Sequence, residues 1–154
     1  MPARFVRGDL FAYPGLKAFG HGCNCAGSMG AGIAVAFKQR WPAMFEEYRA
    51  RCHDGRFALG DVFVWTEGDV TVYNLGTQEH WKKKAQISAL TRATLRMLDL
   101  AEKGGVSAIG LPRIGAGLGG LDWPKVRDAL KSAGDQTKVD LVIFEDYIPA
   151  QTDH

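Results

Sequence analysis

Two glycine-rich segments constrain this chain more than any other feature of its sequence. The first, residues 24–33, reads NCAGSMGAGI, and the second, residues 112–123, reads PRIGAGLGGLDW. Each follows an apolar run that predicts a β-strand, and each precedes a predicted helix. Glycine lets backbone amides approach a bound anion closely, and the N-terminus of a helix attracts phosphate. Two such segments in so short a chain predict a ligand with a diphosphate, held from both sides.

The composition is that of an ordinary water-soluble domain. The 154 residues suffice for one complete core, so we predict a single domain over residues 1–154. The net charge of +2 is too small to require a nucleic acid or an anionic membrane as partner. No apolar run reaches the roughly 18 residues of a membrane-spanning helix, and residues 1–7 lack an apolar signal segment. We therefore expect a cytoplasmic monomer that does not contact a membrane.

The cysteines and one histidine raise the question of a metal site. Cys23, Cys25 and Cys52 cannot all pair, which fits a reducing compartment. His21 precedes the first two at strand spacing, so the three side chains would share one face. Structural zinc favours wider spacings and four convergent ligands. Packing of small side chains is therefore the better interpretation, and we expect no metal. The alternative is a metal site in which Cys52 and His53 serve as further ligands.

Strands and helices alternate along the chain. Residues 5–11, 18–24, 108–111 and 139–144 are predicted strands, and residues 61–65 and 69–75 form a predicted hairpin. Predicted helices cover residues 32–40, 44–52 and 87–101, and a last one begins after Asp122, which can cap it. This order predicts a mixed sheet covered by helices on both faces. Ligands in such sheets bind beyond the carboxyl ends of the strands, where both glycine-rich segments fall.

Four blocks of the sequence carry a resemblance to a known family. They are GDLF at residues 8–11, MGAGIA at residues 29–34, Thr77 followed by His80-Trp81, and residues 112–123. In these blocks the chain resembles the macrodomains, which bind ADP-ribose. It is most similar to the branch of terminal ADP-ribose protein glycohydrolases and bacterial DNA ADP-ribosyl glycohydrolase antitoxins. The resemblance implies a three-layer α/β/α sandwich with a central mixed sheet, with ADP-ribose as ligand and no further cofactor.

The resemblance also implies which residues bind the ligand. Asp9 would accept a hydrogen bond from the adenine amine beside the Leu10 amide, and Phe144 would pack on the adenine ring. Asn24 would lie near the distal ribose. The alternatives are an aspartate that caps its own turn, a phenylalanine of the core and an amide that satisfies the loop backbone. The diphosphate and distal ribose would contact Met29, Gly30, Gly32 and Ile33 on one side and Pro112, Ile114, Gly115, Ala116, Gly117 and Leu118 on the other.

The sequence departs from this branch at Gln78. The glycohydrolases of the branch have a lysine directly after the threonine that corresponds to Thr77. An amide cannot act as a nucleophile or form a Schiff base with an opened ribose, whereas a desolvated lysine can. The lysines at residues 82–84 could replace it, although such a charge run is more often solvated. The protein-directed enzymes also have an aspartate at the position of Gly119, where the antitoxin branch has glycine.

We therefore predict hydrolysis of ADP-ribose from modified protein without a covalent intermediate, with esters on acidic residues as substrate. A substrate phosphate would hold the attacking water, and Asn24, Gln78 and the loop through Gly119 would supply orientation. One alternative is a reader that binds ADP-ribose, free or on a protein, without turnover. Another is a hydrolase of ADP-ribosylated DNA, in which Trp81 stacks a base and the lysines contact phosphates. His80 is a candidate general acid or a residue of the pocket rim.

Overall fold

The fold is built on one six-stranded sheet, for which the computed structural model describes residues 3–149, without the side chain of Leu118. The strands are β1 Ala3–Gly8, β2 Ala18–Asn24, β3 Val62–Glu67, β4 Val70–Gln78, β5 Ala108–Leu111 and β6 Asp140–Tyr147. The helices are α1 Ala34–Arg40, α2 Pro42–His53, α3 Ile87–Lys103 and α4 Trp123–Gly134. Two short 3-10 turns cover Leu10–Ala12 and Gly117–Gly119.

The strand order places both glycine-rich segments at one edge of the sheet. The order is β1-β6-β5-β2-β4-β3, and only the β3–β4 pair is antiparallel. The carboxyl ends of β6, β5, β2 and β4 therefore lie side by side. The first segment leaves β2 and the second leaves β5, and these two strands are neighbours. The predicted mixed sheet is confirmed.

Helices cover both faces of the sheet, so the predicted three-layer sandwich is also confirmed. Alternate residues of β6 pack into different layers: Leu141 and Ile143 belong to the apolar cluster with α3 and α4. Val142 and Phe144 belong to the cluster with α1 and α2. This period of two is what a strand buried on both faces requires.

The predicted strand at residues 5–11 ends earlier, at Gly8. The Asp9 carboxylate accepts a hydrogen bond from the Phe11 amide at 2.8 Å and begins a 3-10 turn, which ends the extended backbone. Asp122 is a second correction, because it occupies the position before α4 without a capping side-chain hydrogen bond. The predicted strands at residues 18–24 and 108–111 match β2 and β5.

Two expectations from the sequence concern the chain as a whole. A single domain over residues 1–154 stays a prediction. Among residues 3–149, no helix combines the length and the apolar character that a bilayer crossing needs.

β2 carries an ionisable side chain into the core. His21 is 1% exposed, its Nε2 donates to Asn74 Oδ1 at 2.7 Å, and its ring stacks on Phe37 at 3.8 Å between centroids. Asn74 in turn donates to the Phe63 carbonyl at 3.1 Å. Burial lowers the pKa of His21 to about 4, although the Asn74 hydrogen bond opposes this. Cys23 Sγ lies 3.4 Å from His21 Nε2, and among the described residues no three metal-ligating side chains converge.

We predict that this buried histidine makes the fold acid-sensitive. The unfolded chain, with an ordinary histidine pKa of 6.5, takes up a proton before the folded chain does. The stability contributed by neutral His21 is present above pH 6.5 and is lost as the pH falls toward 4. Between pH 7 and pH 5 the loss is about 2 kcal/mol, measurable by urea unfolding.

The matched variants are His21→Gln and His53→Gln, since His53 is exposed at the end of α2. The loss between pH 7 and pH 5 should shrink in His21→Gln and persist in His53→Gln. A His21→Gln protein that keeps the whole loss would contradict the assignment.

Candidate functional site

A cavity of about 690 Å³ lies at the carboxyl edge of the sheet, between the two glycine-rich segments. Residues 28–34 line one side, and residues 112–117 with Gly119 line the other. The ends of β6, β2 and β4 contribute to its lining, together with Pro112, which directly follows β5. From β6 to β4 the edge includes four neighbouring strand ends. Since neighbouring strands lie about 4.8 Å apart, these four ends span about 14 Å. The cavity is a trough with the volume of a small-molecule site.

Asn24 fixes the shape of the first segment. Its Oδ1 accepts from the amides of Ala26 at 3.0 Å and Ser28 at 3.2 Å, and its Nδ2 donates to the Ser28 carbonyl at 2.9 Å. Tyr48 of α2 donates to the Asn24 carbonyl at 2.7 Å. The Asn24 side-chain amide thus satisfies the backbone of its own loop, which is the alternative role considered for it in the sequence analysis. A role of Asn24 at the distal ribose stays a prediction.

The first segment also presents a row of backbone donors to the cavity. Among the described residues, no backbone acceptor receives the amides of residues 30–33, although these residues line the trough. The carbonyls of Gly32 and Ile33 are used, because they accept from the first residues of α1. Gly32 has a φ of +64°, which a side chain at this turn would strain. These amides are available to an anion.

The second segment presents donors from the opposite side. Gly115 and Gly117 have φ values of +74° and +55°, and within residues 3–149 their amides reach no backbone acceptor. Successive amides around left-handed residues form a concave anion site. The Gly119 amide, by contrast, donates to the Ala116 carbonyl at 3.1 Å, and the Gly119 carbonyl accepts from Ala85 at 2.8 Å. Gly119 therefore closes the loop with its backbone groups, and its predicted part in orienting the ligand stays a prediction.

Gln78 ties three segments together at one end of the trough. Its carbonyl accepts from the Cys25 amide at 2.8 Å, and its Nε2 donates to the Lys83 carbonyl. Its Oε1 accepts no hydrogen bond from the described residues, and Gln78 lines the cavity. The side-chain amide therefore holds the loop after β4 while its oxygen stays available to a water or a hydroxyl. The nearby Lys82, Lys83 and Lys84 are exposed, as the solvated interpretation of this charge run predicts.

An aromatic pair forms the rim at the same end. Trp81 is 53% exposed, lines the cavity and stacks on His80 at 3.7 Å between ring centroids. His80 Nδ1 accepts from the Lys82 amide at 3.1 Å, so in the neutral ring the proton lies on Nε2. His80 itself does not line the cavity. Trp81 therefore shapes the rim with His80 stacked on it, and a role of His80 as general acid stays a prediction.

The opposite end of the trough is aromatic. Phe144 lines the cavity but is only 1% exposed, and its ring packs edge-on against Tyr13 at 5.6 Å. Asp9 and Leu10 are not among the lining residues, and Leu10 is buried in the core. Sequence analysis missed Tyr147, which lines this end. A register shift between β1 and β6 after Phe144 breaks the alternation, so spacing alone could not place Tyr147 beside it.

Most of the predicted site residues thus come together in one trough. Apart from Asp9, Leu10 and the undescribed Leu118 side chain, all predicted site residues line it: Asn24, Met29, Gly30, Gly32, Ile33, Gln78, Pro112, Ile114, Gly115, Ala116, Gly117, Gly119 and Phe144. The sequence analysis did not name Ser28, Arg113 or Glu145, which also line the trough. Glu145 is neutralised by Arg127 at 3.0 Å. None of these three has a sequence signal that separates it from an ordinary loop or strand-end residue.

The thiols of the site are not activated. Cys23 lines the cavity, and burial raises the pKa of its thiol well above the ordinary value. Burial likewise raises the pKa of Cys25 to about 12. Because the thiolate is the nucleophile, both groups are unreactive at neutral pH.

Comparisons with known proteins agree with this geometry. The Macro domain family model matches residues 21–130. The DNA ADP-ribosyl glycohydrolase of Mycobacterium tuberculosis is 33% identical over 126 residues, which cover 79% of this chain and 36% of that protein. An ADP-ribose glycohydrolase of Homo sapiens is 29% identical over 140 residues, which cover 91% of this chain and 89% of that protein. This chain spans little more than a third of the DNA-directed relatives.

The solved structures agree as well. The macrodomain of Mycobacterium tuberculosis DarG superposes with a TM-score of 0.85 at 31% identity, over 96% of this chain and 99% of that one. Sequence and structure comparisons therefore point to the same family.

Proposed function

The chain belongs to the macrodomain family, and on that premise we propose that it binds ADP-ribose in the trough and hydrolyses it from modified protein. The substrate that we propose is a mono-ADP-ribosyl ester on an acidic residue. Its partners would be ADP-ribosylated protein and free ADP-ribose. A cytoplasmic location, a monomeric state and the absence of a further cofactor stay expectations from the sequence.

One observation carries the proposal: residues whose amides have no backbone acceptor within residues 3–149 line the trough on both sides. Residues 30–33 present one set, and Gly115 with Gly117 presents the other. A diphosphate offers acceptor oxygens on two sides, so both sets can donate to it at once. Amide donors fixed by loop geometry bind phosphate directionally and need little rearrangement. This arrangement suits the middle of ADP-ribose.

The two ends of the trough suit the two ends of that ligand. At the aromatic end the half-buried Tyr147 offers apolar surface to an adenine ring, and the buried Phe144 belongs to the same lining. The end with Gln78 and Trp81 offers an amide oxygen and an open rim. A distal ribose placed there points its anomeric carbon toward solvent, where a macromolecule can be attached. The distance of about 14 Å between the ends accommodates the nucleotide in an extended form.

The proposed reaction needs no nucleophile from the protein. A water held by a substrate phosphate oxygen attacks the anomeric carbon, the bond from that carbon to the ester oxygen breaks, and the carboxylate leaves. The proton of the water goes to solvent through the phosphate. A carboxylate is a good leaving group, so orientation supplies most of what is needed, up to about 7 kcal/mol in favourable intramolecular cases. Gln78 Oε1 is the available acceptor to orient the water or a ribose hydroxyl.

Replacing Gly117 tests the binding mode. A valine there is strained at a φ of +55°, and its branched side chain would occupy the place of a phosphate. Gly68 is a matched control: it has a φ of +60°, equally open surroundings and a position in the β3–β4 turn at the opposite edge of the sheet. By calorimetry, Gly117→Val should weaken ADP-ribose binding at least about tenfold, whereas Gly68→Val should not. Wild-type affinity in Gly117→Val would contradict the cradle.

Replacing Gln78 tests the orienting role. Gln78→Ala should lower kcat for ester hydrolysis about tenfold while changing the affinity for ADP-ribose less than about twofold, because the lost contact acts on the reacting groups. Gln136→Ala, on the exposed surface after α4, serves as control. Equal losses in turnover and in binding would reduce Gln78 to an ordinary contact.

The rim favours one second candidate, hydrolysis of ADP-ribosylated single-stranded DNA. The exposed Trp81 ring, supported by His80, can stack a base, and the exposed lysines at residues 82–84 can contact phosphates. One of the relatives named above is also a DNA ADP-ribosyl glycohydrolase. Because Gln78 replaces the lysine nucleophile of the branch, we favour the ester, whose carboxylate is a good leaving group, as the substrate.

Hydrolysis rates on ester-linked protein and on ADP-ribosylated single-stranded DNA distinguish the two candidate functions. We expect ester-linked protein to be hydrolysed faster than ADP-ribosylated single-stranded DNA, with an ester rate that stays within about twofold between 50 and 200 mM salt. A DNA rate that is higher, falls steeply with salt and drops about tenfold in Trp81→Ala would replace the main proposal. Binding without release from either substrate would leave a reader.

A further inference from the structure

A second groove lies outside the first glycine-rich segment, between α1 and α2. It measures about 540 Å³, and its lining includes Val35, Lys38, Pro42 and Phe45. Met29 and Gly30 line both this groove and the trough, so the two are separated only by this part of the segment. A chain attached to a ligand in the trough can pass over Gly30, which has no side chain, and enter the groove directly.

The groove combines an apolar floor with one uncompensated positive charge. The Lys38 ammonium lies 4.4 Å from the centre of the Phe45 ring, and the Arg49 guanidinium lies 5.9 Å from it on another approach. Arg49 is neutralised by Glu46 at 3.1 Å. Lys38 is exposed and forms no ion pair within residues 3–149. The lysine therefore offers its charge to a partner.

We propose that this groove binds the polypeptide that carries the ADP-ribose, through a carboxylate close to the modified residue. The inference rests on the proposed function, because that function places the modified residue at the open end of the trough. Apolar side chains of the peptide pack on Val35, Pro42 and Phe45, and an acidic side chain pairs with Lys38. The amide of Gln39, which also lines the groove, can bond the extended peptide backbone.

The charges of the groove favour an acidic peptide over a nucleic acid. A strand of nucleic acid presents a phosphate at every nucleotide and binds to a run of cations. The groove offers Lys38 alone, because its other charged lining residue, Glu46, is paired with Arg49. One cation beside apolar surface suits a peptide with an isolated acidic residue.

The test compares two ester substrates that differ only in the attached chain. One is an acidic peptide with ADP-ribose esterified to a glutamate, and the other is the ADP-ribosyl ester of a single capped glutamate. Lys38→Glu reverses the charge, and Ala43→Glu adds a carboxylate in the first turn of α2, where the helix dipole tolerates it. The control Lys131→Glu lies on α4, away from both cavities.

Both groove variants should raise KM for the peptide about tenfold and leave KM for the single-residue ester within about twofold. Lys131→Glu should change neither. Unchanged affinity for free ADP-ribose verifies that the variants are folded. Equal effects on the two esters, or no effect on the peptide, would overturn the proposal. An effect on ADP-ribosylated single-stranded DNA but not on the peptide would assign the groove to nucleic acid instead.

A binding measurement separates this inference from the proposed hydrolysis. If the wild-type protein turns over neither ester, fluorescence anisotropy can still compare the Kd of the ADP-ribosylated peptide with that of free ADP-ribose. A peptide affinity that exceeds the ADP-ribose affinity and falls about tenfold in Lys38→Glu supports the groove even in a reader. Equal affinities for the two ligands would overturn it.

Discussion

The site depends on backbone amides that the fold leaves unpaired on two facing loops. Amides without a protein partner are rare in folded proteins unless a ligand or water meets them. Within residues 3–149, amides without a backbone acceptor occur at residues 30–33 and at Gly115 and Gly117, on both sides of one trough. Most of these residues are exposed, so water can meet their amides until a ligand replaces it. The parallel neighbours β2 and β5 put the two loops opposite each other. The fold thus builds a diphosphate site from main-chain atoms.

The two loops keep their shape because neighbouring side-chain and backbone groups form hydrogen bonds with them. Asn24 and Tyr48 hold the first segment, and the contact of Ala85 with Gly119 holds the second. Gln78 joins the first segment to the loop that carries Trp81. These contacts fix the amide donors before a ligand arrives, which is what preorganised binding requires. They also show that Asn24 and Gln78 support the loops that carry those donors.

The sequence predicted the sheet and the position of the site, because both follow from local patterns. Alternation and flanking glycines placed β2 and β5, and the two glycine-rich segments located the trough. The contact of Asn24 with Tyr48 could not be read from spacing, since the fold brings these residues together across 24 positions of the chain. The contact of Gln78 with the Lys83 carbonyl is local, but it depends on how the loop after β4 turns. Tyr147 was missed for a similar reason: an irregularity in the pairing of β1 with β6 moves it beside Phe144.

A crystal structure of the protein with ADP-ribose tests the central claim most directly. The account predicts the diphosphate between the two loops, with its oxygens about 2.9 Å from the amide nitrogens of Gly115, Gly117 and residues 30–33. It also predicts a water near the anomeric carbon, beside Gln78 Oε1. A nucleotide bound elsewhere, or a diphosphate that leaves either set of amides without contact, would contradict it.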